Sequence, residues 1–320
     1  MGGGELSEKA YREAAVDREY NTKSTKSLLN TVMDTRNSSR SFNTKARTYN
    51  TQVPEKMLNV GVRESRDTEE HPNTTPIIIA VDVTGSMYHI LGDILRVHLP
   101  QIIRDVLDAN VPDPQLLFAA FGDQYTDDYP FQMNQFESDT EKILNSIQSM
   151  YPEQGGGGNG GESPALIWLA AGYHTELDSW FKRGKKGILF TISDENCHPD
   201  LEEEVLRRIF HYEKGVGDKT AKEALAKAQE QYEIYHIHMD DGNYRWSSVR
   251  KCWTGLLGER ALHCKSTELS KVMIPIILRH SQQASSEVPG EAPSETSMER
   301  VEAPYTGAES GPASDGGFFF

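Results

Sequence analysis

Cysteine is scarce in this sequence, and long apolar runs are missing. Three of the 320 residues are cysteines, namely Cys197, Cys252 and Cys264, and neither their odd number nor their spacing matches a zinc-binding pattern. We therefore expect free thiols in a reducing compartment. No apolar stretch is long enough to span a membrane, and the first ten residues lack the apolar core of a secretory signal. The sequence thus predicts a cytoplasmic protein with no membrane partner.

Basic residues are also in short supply relative to acidic ones. The chain has 33 Lys and Arg against 48 Asp and Glu, which gives a formal net charge of −15. A surface of this sign is unsuited to the phosphate backbone of a nucleic acid, so we expect no nucleic-acid partner. The same acidity suits a site that binds a cation.

Apolar residues make up 37% of the chain and are unevenly distributed, which divides it into three parts. Residues 1–75 are predicted to be a polar, partly ordered arm, with a helix at Leu6–Tyr20 and an edge strand at Leu58–Val62. Residues 76–280 hold the apolar blocks and are predicted to be the folded domain. Residues 281–320 are rich in Ser, Pro, Glu and Gly, so we expect a disordered acidic tail, which ends in three phenylalanines.

Strand-like and helix-like blocks alternate through the predicted domain. The predicted strands are Pro76–Val83, Gln115–Gly122, Pro130–Phe136, Lys186–Ser193 and Glu233–Met239. The predicted helices are Met87–Ala109, Glu137–Met150, Pro164–Phe181, Leu201–Phe210, Thr220–Tyr232, Trp246–Leu257 and Thr267–Arg279. This order predicts an α/β fold with a parallel sheet covered on both faces, in which ligands bind at the carboxyl ends of the strands.

The segment that follows the first predicted strand reads DVTGSM. It places the carboxylate of Asp82 and the hydroxyls of Thr84 and Ser86 two residues apart, where the strand turns into a helix. Hard oxygen ligands of this kind are those that Mg²⁺ prefers. The alternative interpretation is that Asp82 and Thr84 only cap the helix.

Other strand ends also offer oxygen ligands. Asp194 follows the fourth predicted strand, and Asp123 follows the second. A glycine-rich loop leads to Glu162 at the start of the next helix, and the same loop contains Asn159. Because the carboxyl ends of neighbouring parallel strands lie at one edge of a sheet, we expect these side chains to converge on one crevice.

Taken in order, the segments DVTGSM, FGD, GGGGNGGESP and TISDE resemble the von Willebrand factor A family over about two thirds of the chain. The resemblance implies a Rossmann-like, doubly wound, mainly parallel sheet with one short antiparallel strand. It also implies a metal-ion-dependent adhesion site that uses Asp82, Thr84, Ser86 and Asp194. The threonine that the family usually places in the second loop is missing, so Glu162 is the candidate there, with the asparagine of that loop in reserve.

The function implied by the resemblance is binding rather than catalysis. A cation, Mg²⁺ or else Mn²⁺ or Ca²⁺, would be completed by an acidic side chain of a partner protein. Intracellular members of the family act beside AAA+ ATPases or within larger assemblies, which the resemblance implies here in general terms. Two alternatives stay open: a metal-dependent hydrolase with Asp82 as nucleophile or ligand, and a structural particle protein with a vestigial metal site.

Several other features are interpreted more simply. No Gly-Lys-Ser/Thr follows the glycine loop, which argues against a phosphate-binding loop. His236 and His238 are interpreted as core or edge histidines, and Asp127-Asp128 and Glu202–Glu204 as solvated charge. The terminal Phe318–Phe320 is predicted to dock in an apolar pocket of a partner.

Overall fold

A computed structural model of the chain describes residues 61–153, 158–212 and 214–286. The predicted helix at Leu6–Tyr20 and the predicted acidic tail from residue 287 onward lie outside the described residues. The strand predicted at Leu58–Val62 lies partly outside them, and the first strand of the structure, β1 (Arg63–Ser65), begins one residue after that range. The division of the chain into three parts stays a prediction.

A six-stranded sheet forms the centre of the fold, and its strand order is β10-β9-β6-β2-β3-β4. These strands are β2 (Thr75–Asp82), β3 (Pro114–Phe121), β4 (Phe131–Met133), β6 (Gly187–Ser193), β9 (Tyr232–Met239) and β10 (Ala261–Cys264). Every residue of β2 is buried, which explains why its sequence is a continuous apolar run rather than an alternating one.

The sheet is mixed, and this corrects the fold class expected from the sequence. Strand β3 pairs in parallel with β2 but antiparallel with β4. The cause is the connection between β3 and β4, residues 122–130, which is too short for the helical crossover that parallel strands require. A mixed six-stranded sheet therefore replaces the doubly wound, mainly parallel sheet of the von Willebrand factor A type.

Helices pack on both faces of this sheet. In chain order they are α1 (Tyr88–Asp93), α2 (Leu99–Asp108), α3 (Thr140–Gln148), α4 (Ala165–Tyr173), α5 (Asp178–Arg183), α6 (Glu203–Phe210), α7 (Ala221–Gln229), α8 (Trp246–Leu257) and α9 (Leu269–Ser286). Side chains of a strand alternate between the two faces. Accordingly, Ile77 and Ile79 pack with α1, α2, α3 and α9, whereas Ile78 and Ala80 pack with α4, α6, α7 and α8.

Two predicted helices are interrupted. The helix predicted at Met87–Ala109 contains a π-helical turn, Ile94–His98, just before Pro100. Proline lacks the N–H that a regular α-helix needs at this position, so the helical hydrogen bonds are rearranged around it. The helix predicted at Pro164–Phe181 is broken by β5 (Thr175–Leu177), which pairs with β1.

The remaining strands are short. Strand β7 (Asp200–Leu201) pairs antiparallel with β8 (Lys219–Thr220) beside the start of α6. Among the residues that the structure describes, no helix has both the length and the apolar character needed to cross a bilayer.

Candidate functional site

The carboxyl ends of β2 and β6 hold the centre of the candidate site. Asp82 is the last residue of β2 and Ser193 is the last residue of β6, and the two strands are paired one residue earlier. The Ser193 hydroxyl donates to Asp82 Oδ2 at 2.6 Å. Asp82 is completely buried, and its pKa is raised to about 7 by burial and then by the charge of Asp194.

The loop after β2 folds around the carboxylate of Asp82. The Thr84 backbone N–H and the Thr84 hydroxyl both donate to Asp82 Oδ1, at 2.8 Å and 2.6 Å. The Thr84 and Ser86 hydroxyl oxygens lie 3.3 Å apart. The turn therefore brings one carboxylate and two hydroxyls to the same point, at the entrance to α1.

Asp194, the residue after β6, joins this group from a neighbouring strand. The Ser86 hydroxyl donates to Asp194 Oδ1 at 2.6 Å. The backbone N–H groups of Asn243 and Tyr244 donate to Asp194 Oδ2 at 2.5 Å and 3.1 Å. Both oxygens of the carboxylate are thus held, and the structure brings Asp82, Thr84, Ser86 and Asp194 together as one hydrogen-bonded cluster.

Two parts of this cluster were missed by sequence reasoning: Ser193 and the loop 240–244. The loop follows β9 and reads DDGNY, a turn-rich sequence at the carboxyl end of a strand. For the other strands, candidate residues were sought directly after the carboxyl end of the strand. The same search after β9 would have identified this loop. Gly242 is required in this loop, because a Cβ there would lie 2.4 Å from the Cβ of Asp194.

Glu162 lies next to the cluster and is 2% exposed. Its backbone is fixed by hydrogen bonds to the segment after β6: its N–H donates to the Asn196 carbonyl, and its carbonyl accepts from the His198 N–H, both at 2.8 Å. Glu162 Oε2 has no hydrogen-bond partner within the described residues. Burial, followed by the charges of Asp82 and Glu195, raises the pKa of Glu162 to about 11.

Asn159, the reserve candidate, contacts a different carboxylate. Its side-chain amide donates to Asp123 Oδ2 at 2.8 Å, and the Thr126 hydroxyl donates to the same oxygen at 2.8 Å. The His198 ring nitrogen Nε2 lies 3.2 Å from Asp123 Oδ1. Although burial alone would raise the pKa of Asp123, the hydrogen bonds led by that of His198 lower it to about 2.

Two further carboxyl groups add negative charge to this part of the molecule. Burial and then Asp194 raise the pKa of Glu195 to about 7. Asp127 is 5% exposed, and its Oδ2 accepts from the Asp123 N–H at 2.7 Å. Burial raises the pKa of Asp127 to about 6. The interpretation of Asp127 as solvated charge was therefore wrong, because the loop folds back and encloses its side chain.

The two histidines of β9 are core residues, as expected, but they are not the satisfied histidines that were expected, because His236 Nε2 and both ring nitrogens of His238 have no hydrogen-bond partner within the described residues. Both side chains are fully buried. The ring of His236 stacks on Trp253, and its Nδ1 lies 3.1 Å from the Thr191 hydroxyl. Burial lowers the pKa of His236 well below its ordinary value. The three cysteines are also as expected, since each is a free thiol.

Comparisons with known proteins do not place the chain in a family. No protein-family model matches it, and no curated protein matches it. It is similar to the solved structure of SpaC, a pilus adhesin of Lactobacillus rhamnosus GG, with a TM-score of 0.43 and 9% identity. That match covers 70% of this chain and 31% of the adhesin, so this chain spans about a third of the adhesin's length.

Two other solved structures are similar to the same extent. The minor pilin PilB of Streptococcus sanguinis has a TM-score of 0.40 and 12% identity, over 70% of this chain and 65% of the pilin. Proximal thread matrix protein 1 of the mussel byssus has a TM-score of 0.41 and 13% identity, over 70% of this chain and 49% of that protein. Likenesses this remote transfer no function.

These findings correct the family expected from the sequence. No family model matches the chain, so its assignment to the von Willebrand factor A family has no support. Within the described residues, no group of three or more His, Cys, Asp or Glu side chains is placed to hold a metal ion. The assignment to that family is therefore withdrawn, and the role of Asp82, Thr84, Ser86, Glu162 and Asp194 as cation ligands stays a prediction.

Proposed function

We propose that this chain is a protein-binding module in which the cluster around Asp82 and Asp194 takes up a divalent cation, Mg²⁺ or a similar hard cation such as Mn²⁺ or Ca²⁺. The observation that carries the proposal is the carboxyl group of Glu162. The Glu162 side chain is 2% exposed, and it lies close enough to Asp82 for the charge of Asp82 to raise the pKa of Glu162. Its Oε2 has no donor within the described residues. A buried acceptor beside other buried carboxylates is costly unless a proton or a cation neutralises it.

The chemistry of the cluster fits a hard cation. Mg²⁺ is commonly held in proteins by one or two carboxylates, with water completing its octahedron, so a set of three acids is not required. Asp82 and Asp194 supply two carboxylates. Thr84 and Ser86 supply hydroxyl oxygens, which keep acceptor lone pairs while they donate to those carboxylates.

The bound cation would supply positive charge and open coordination positions for an acidic side chain of a partner protein. The residues of this chain do the rest. Ser193 and the Thr84 N–H hold the Asp82 carboxylate in place, and the loop 243–244 holds Asp194. A site fixed in advance in this way loses little conformational freedom when a partner binds.

A serine-nucleophile mechanism is disfavoured by the partner of Ser86. Its hydroxyl donates to the carboxylate of Asp194 rather than to a histidine base, so it is not set up as an activated nucleophile. That the chain catalyses no reaction stays a prediction. The three free thiols fit a reducing compartment such as the cytoplasm, where an AAA+ ATPase or a larger assembly is the kind of partner we propose.

Cation binding is tested directly by calorimetric titration of the full chain with MgCl₂ and, separately, with MnCl₂. We expect one saturable site, and at least tenfold weaker binding in Asp82→Asn, which keeps the shape of the side chain. Asp108→Asn, an exposed aspartate at the end of α2, is the matched control and should bind as the unmodified chain does. Equal affinities in all three proteins, or no saturable binding in any, would overturn the proposal.

Once cation binding has been demonstrated, a second experiment tests whether the chain captures a partner protein only when the cation is present. The immobilised chain is exposed to lysate with MgCl₂ or with EDTA. Partners should be retained only with MgCl₂, and should be lost from Asp82→Asn but not from Asp108→Asn. If partners are retained in EDTA, and are retained by Asp82→Asn as well, they bind elsewhere on the chain.

A further inference from the structure

The sequence contains a single Asn-Gly pair, Asn159-Gly160, in the glycine-rich loop. An asparagine that precedes glycine can lose ammonia without an enzyme, because the backbone nitrogen of the next residue attacks the side-chain carbonyl carbon. Glycine has no side chain to obstruct this approach. A fold suppresses the reaction when it holds the attacking nitrogen or the attacked group in place. The surroundings of Asn159 and Gly160 therefore decide whether the pair reacts.

Both reacting groups of the pair are accessible in the structure. Asn159 and Gly160 are exposed, and a Cβ placed on Gly160 would meet nothing within 4 Å. The Gly160 N–H donates to no acceptor within the described residues. The carbonyl of the same residue accepts from the Asn196 side-chain amide at 3.1 Å, so the loop is anchored through its carbonyl and not through the nitrogen that attacks.

The fold gives a reason for each member of the pair. Gly160 has a φ of +81°, which residues with a Cβ rarely adopt. The Asn159 side-chain amide supplies a neutral donor to Asp123 Oδ2 at 2.8 Å. That bond uses only one N–H of the amide, and Asn159 Oδ1 accepts from no donor within the described residues. The side chain is therefore oriented by one bond but not enclosed.

A second pair, Asp241-Gly242, could form the same kind of ring through its carboxyl group, but its surroundings hold it. Asp241 Oδ1 accepts from the Ser266 N–H at 2.9 Å, and Oδ2 accepts from the Ser266 hydroxyl at 2.7 Å. The Gly242 N–H donates to the Met239 carbonyl at 3.0 Å. Both the attacked group and the attacking nitrogen are held there, in contrast to Asn159-Gly160.

From this contrast we propose that Asn159 is a site of spontaneous deamidation in the folded chain. The Gly160 nitrogen loses its proton to solvent and bonds to the side-chain carbonyl carbon of Asn159. The bond from that carbon to Nδ2 breaks, and the nitrogen takes a proton from solvent and leaves as ammonia. Water then opens the five-membered succinimide at either carbonyl, which gives aspartate or isoaspartate. Nothing is oxidised or reduced, and water is the only co-reactant.

The product reverses the contact with Asp123. Burial raises the pKa of Asp123, but hydrogen bonds led by that of His198, and including that of Asn159, lower it to about 2, so this carboxyl group is ionised. A carboxylate at position 159 cannot donate to it and repels it. Deamidation therefore releases the glycine-rich loop from the segment after β3. The reaction needs no cation, so it goes beyond the proposed cation site.

Incubation of the full chain at pH 7.5 and 37 °C, followed by peptide mass spectrometry, tests the reaction. Electron-transfer fragmentation distinguishes aspartate from isoaspartate, and both should form. We expect Asn159 to react at least about tenfold faster than Asn145, which lies inside α3 on the same tryptic peptide, because a helix restrains its backbone. The rate at Asn159 should also stay within fivefold of the rate in guanidinium chloride, whereas Asp241 should isomerise only in guanidinium chloride.

A rate at Asn159 no faster than that at Asn145, or a rate in the folded chain more than fivefold below that in guanidinium chloride, would overturn the proposal. Asn159→Gln keeps the amide but would have to close a six-membered ring, so no reaction is expected at this position over the same period. Asp82→Asn should leave the rate at Asn159 unaltered, which separates this reaction from the proposed cation site.

The effect on Asp123 is tested with Asn159→Asp, which introduces the carboxylate of the product. NMR titration should show the pKa of Asp123 raised by about one unit, because a donor is lost and a like charge is added. Asn145→Asp adds the same charge at an exposed position of α3, and should leave the pKa of Asp123 unchanged. Equal pKa values of Asp123 in both variants would show that deamidation does not disturb this contact.

Discussion

The Ser86 hydroxyl donates to Asp194 Oδ1 at 2.6 Å, although the two residues are 108 positions apart in the chain. This bond joins the loop after β2 to the loop after β6. The other oxygen of Asp194 is held by the backbone of Asn243 and Tyr244, after β9. Three neighbouring strands therefore share one carboxylate, and the position of that carboxylate depends on each of the three loops.

Ser86→Ala tests the first of these connections. Removing the hydroxyl leaves a buried carboxylate oxygen without its donor, and we expect a loss of about 1–2 kcal/mol in the free energy of unfolding. If the proposed cation site is correct, the affinity for Mn²⁺ should also fall about tenfold, because one oxygen ligand is lost. Urea unfolding and calorimetric titration measure the two effects. Ser247→Ala, at an exposed position of α8, is the control and should change neither quantity.

Gly242→Ala tests the loop after β9. The added Cβ would lie 2.4 Å from the Cβ of Asp194, so either the loop or the aspartate must move. We expect a loss of about 1–3 kcal/mol in stability together with weaker Mn²⁺ binding. Gly255→Ala is the matched control, since a Cβ there meets nothing within 4 Å and the residue lies inside α8. That substitution should stabilise the helix by up to about 1 kcal/mol. Similar effects at both glycines would contradict the close approach to Asp194.

The parts of the fold that were predictable are those with a strong hydrophobic signal. Strands β2, β6 and β9 are buried almost throughout, and their apolar runs were recognised. Strand β10 (Ala261–Cys264) was missed because most of its residues are only partly buried and its four residues show no periodicity. The family and the fold class were wrong, because short motifs at strand ends were given more weight than they can carry.

The site was predictable as far as side chains at strand ends are concerned. Asp82 ends one buried strand and Asp194 follows the strand beside it, and the structure brings them together. Their role as cation ligands stays a prediction. The loop at Gly242 could not be predicted in the same way, because it acts through backbone N–H groups, which leave little trace in the sequence. The burial of Asp127 depends on how a loop folds back, which periodicity does not reveal.

Glu233 provides a prediction about pH. The His280 ring, and also Arg260, lower the pKa of this carboxyl group to about 2, although burial opposes them. A group whose pKa is lower in the folded chain than in the unfolded chain stabilises the fold at pH values above its pKa in the unfolded chain. This stabilisation is lost as the pH falls towards the pKa of the folded chain. The unmodified chain should therefore exceed Glu233→Gln in unfolding free energy by the full amount at pH 7, and this difference should shrink between about pH 5 and pH 2.

The size of this effect is limited by exposure, since 27% of the Glu233 side chain is accessible. We therefore expect a difference of about 1 kcal/mol at pH 7. Urea unfolding of both proteins at pH 7, 5, 4 and 3 measures it. A difference that stays constant across this range would show that the carboxylate does not depend on His280 in the folded state.

Two buried tryptophans allow the stabilising effect of one hydrogen bond to be separated from that of packing. Trp253 and Trp168 are both fully buried and meet edge-on, with ring centroids 6.2 Å apart. Trp253 Nε1 donates to the Glu195 carbonyl at 2.8 Å, whereas Trp168 Nε1 has no partner within the described residues. Both substitutions to Phe remove similar volume, but only Trp253→Phe leaves a carbonyl of the site loop without its donor.

We therefore expect Trp253→Phe to cost about 1 kcal/mol more in unfolding free energy than Trp168→Phe. Because Glu195 directly follows Asp194, Trp253→Phe should also loosen the segment after β6 and raise its hydrogen exchange, which Trp168→Phe should not do. Urea unfolding and exchange measured over residues 194–198 distinguish the two variants. Equal costs and equal exchange would show that α8 supports the site only through packing, and that the hydrogen bond to the Glu195 carbonyl is dispensable.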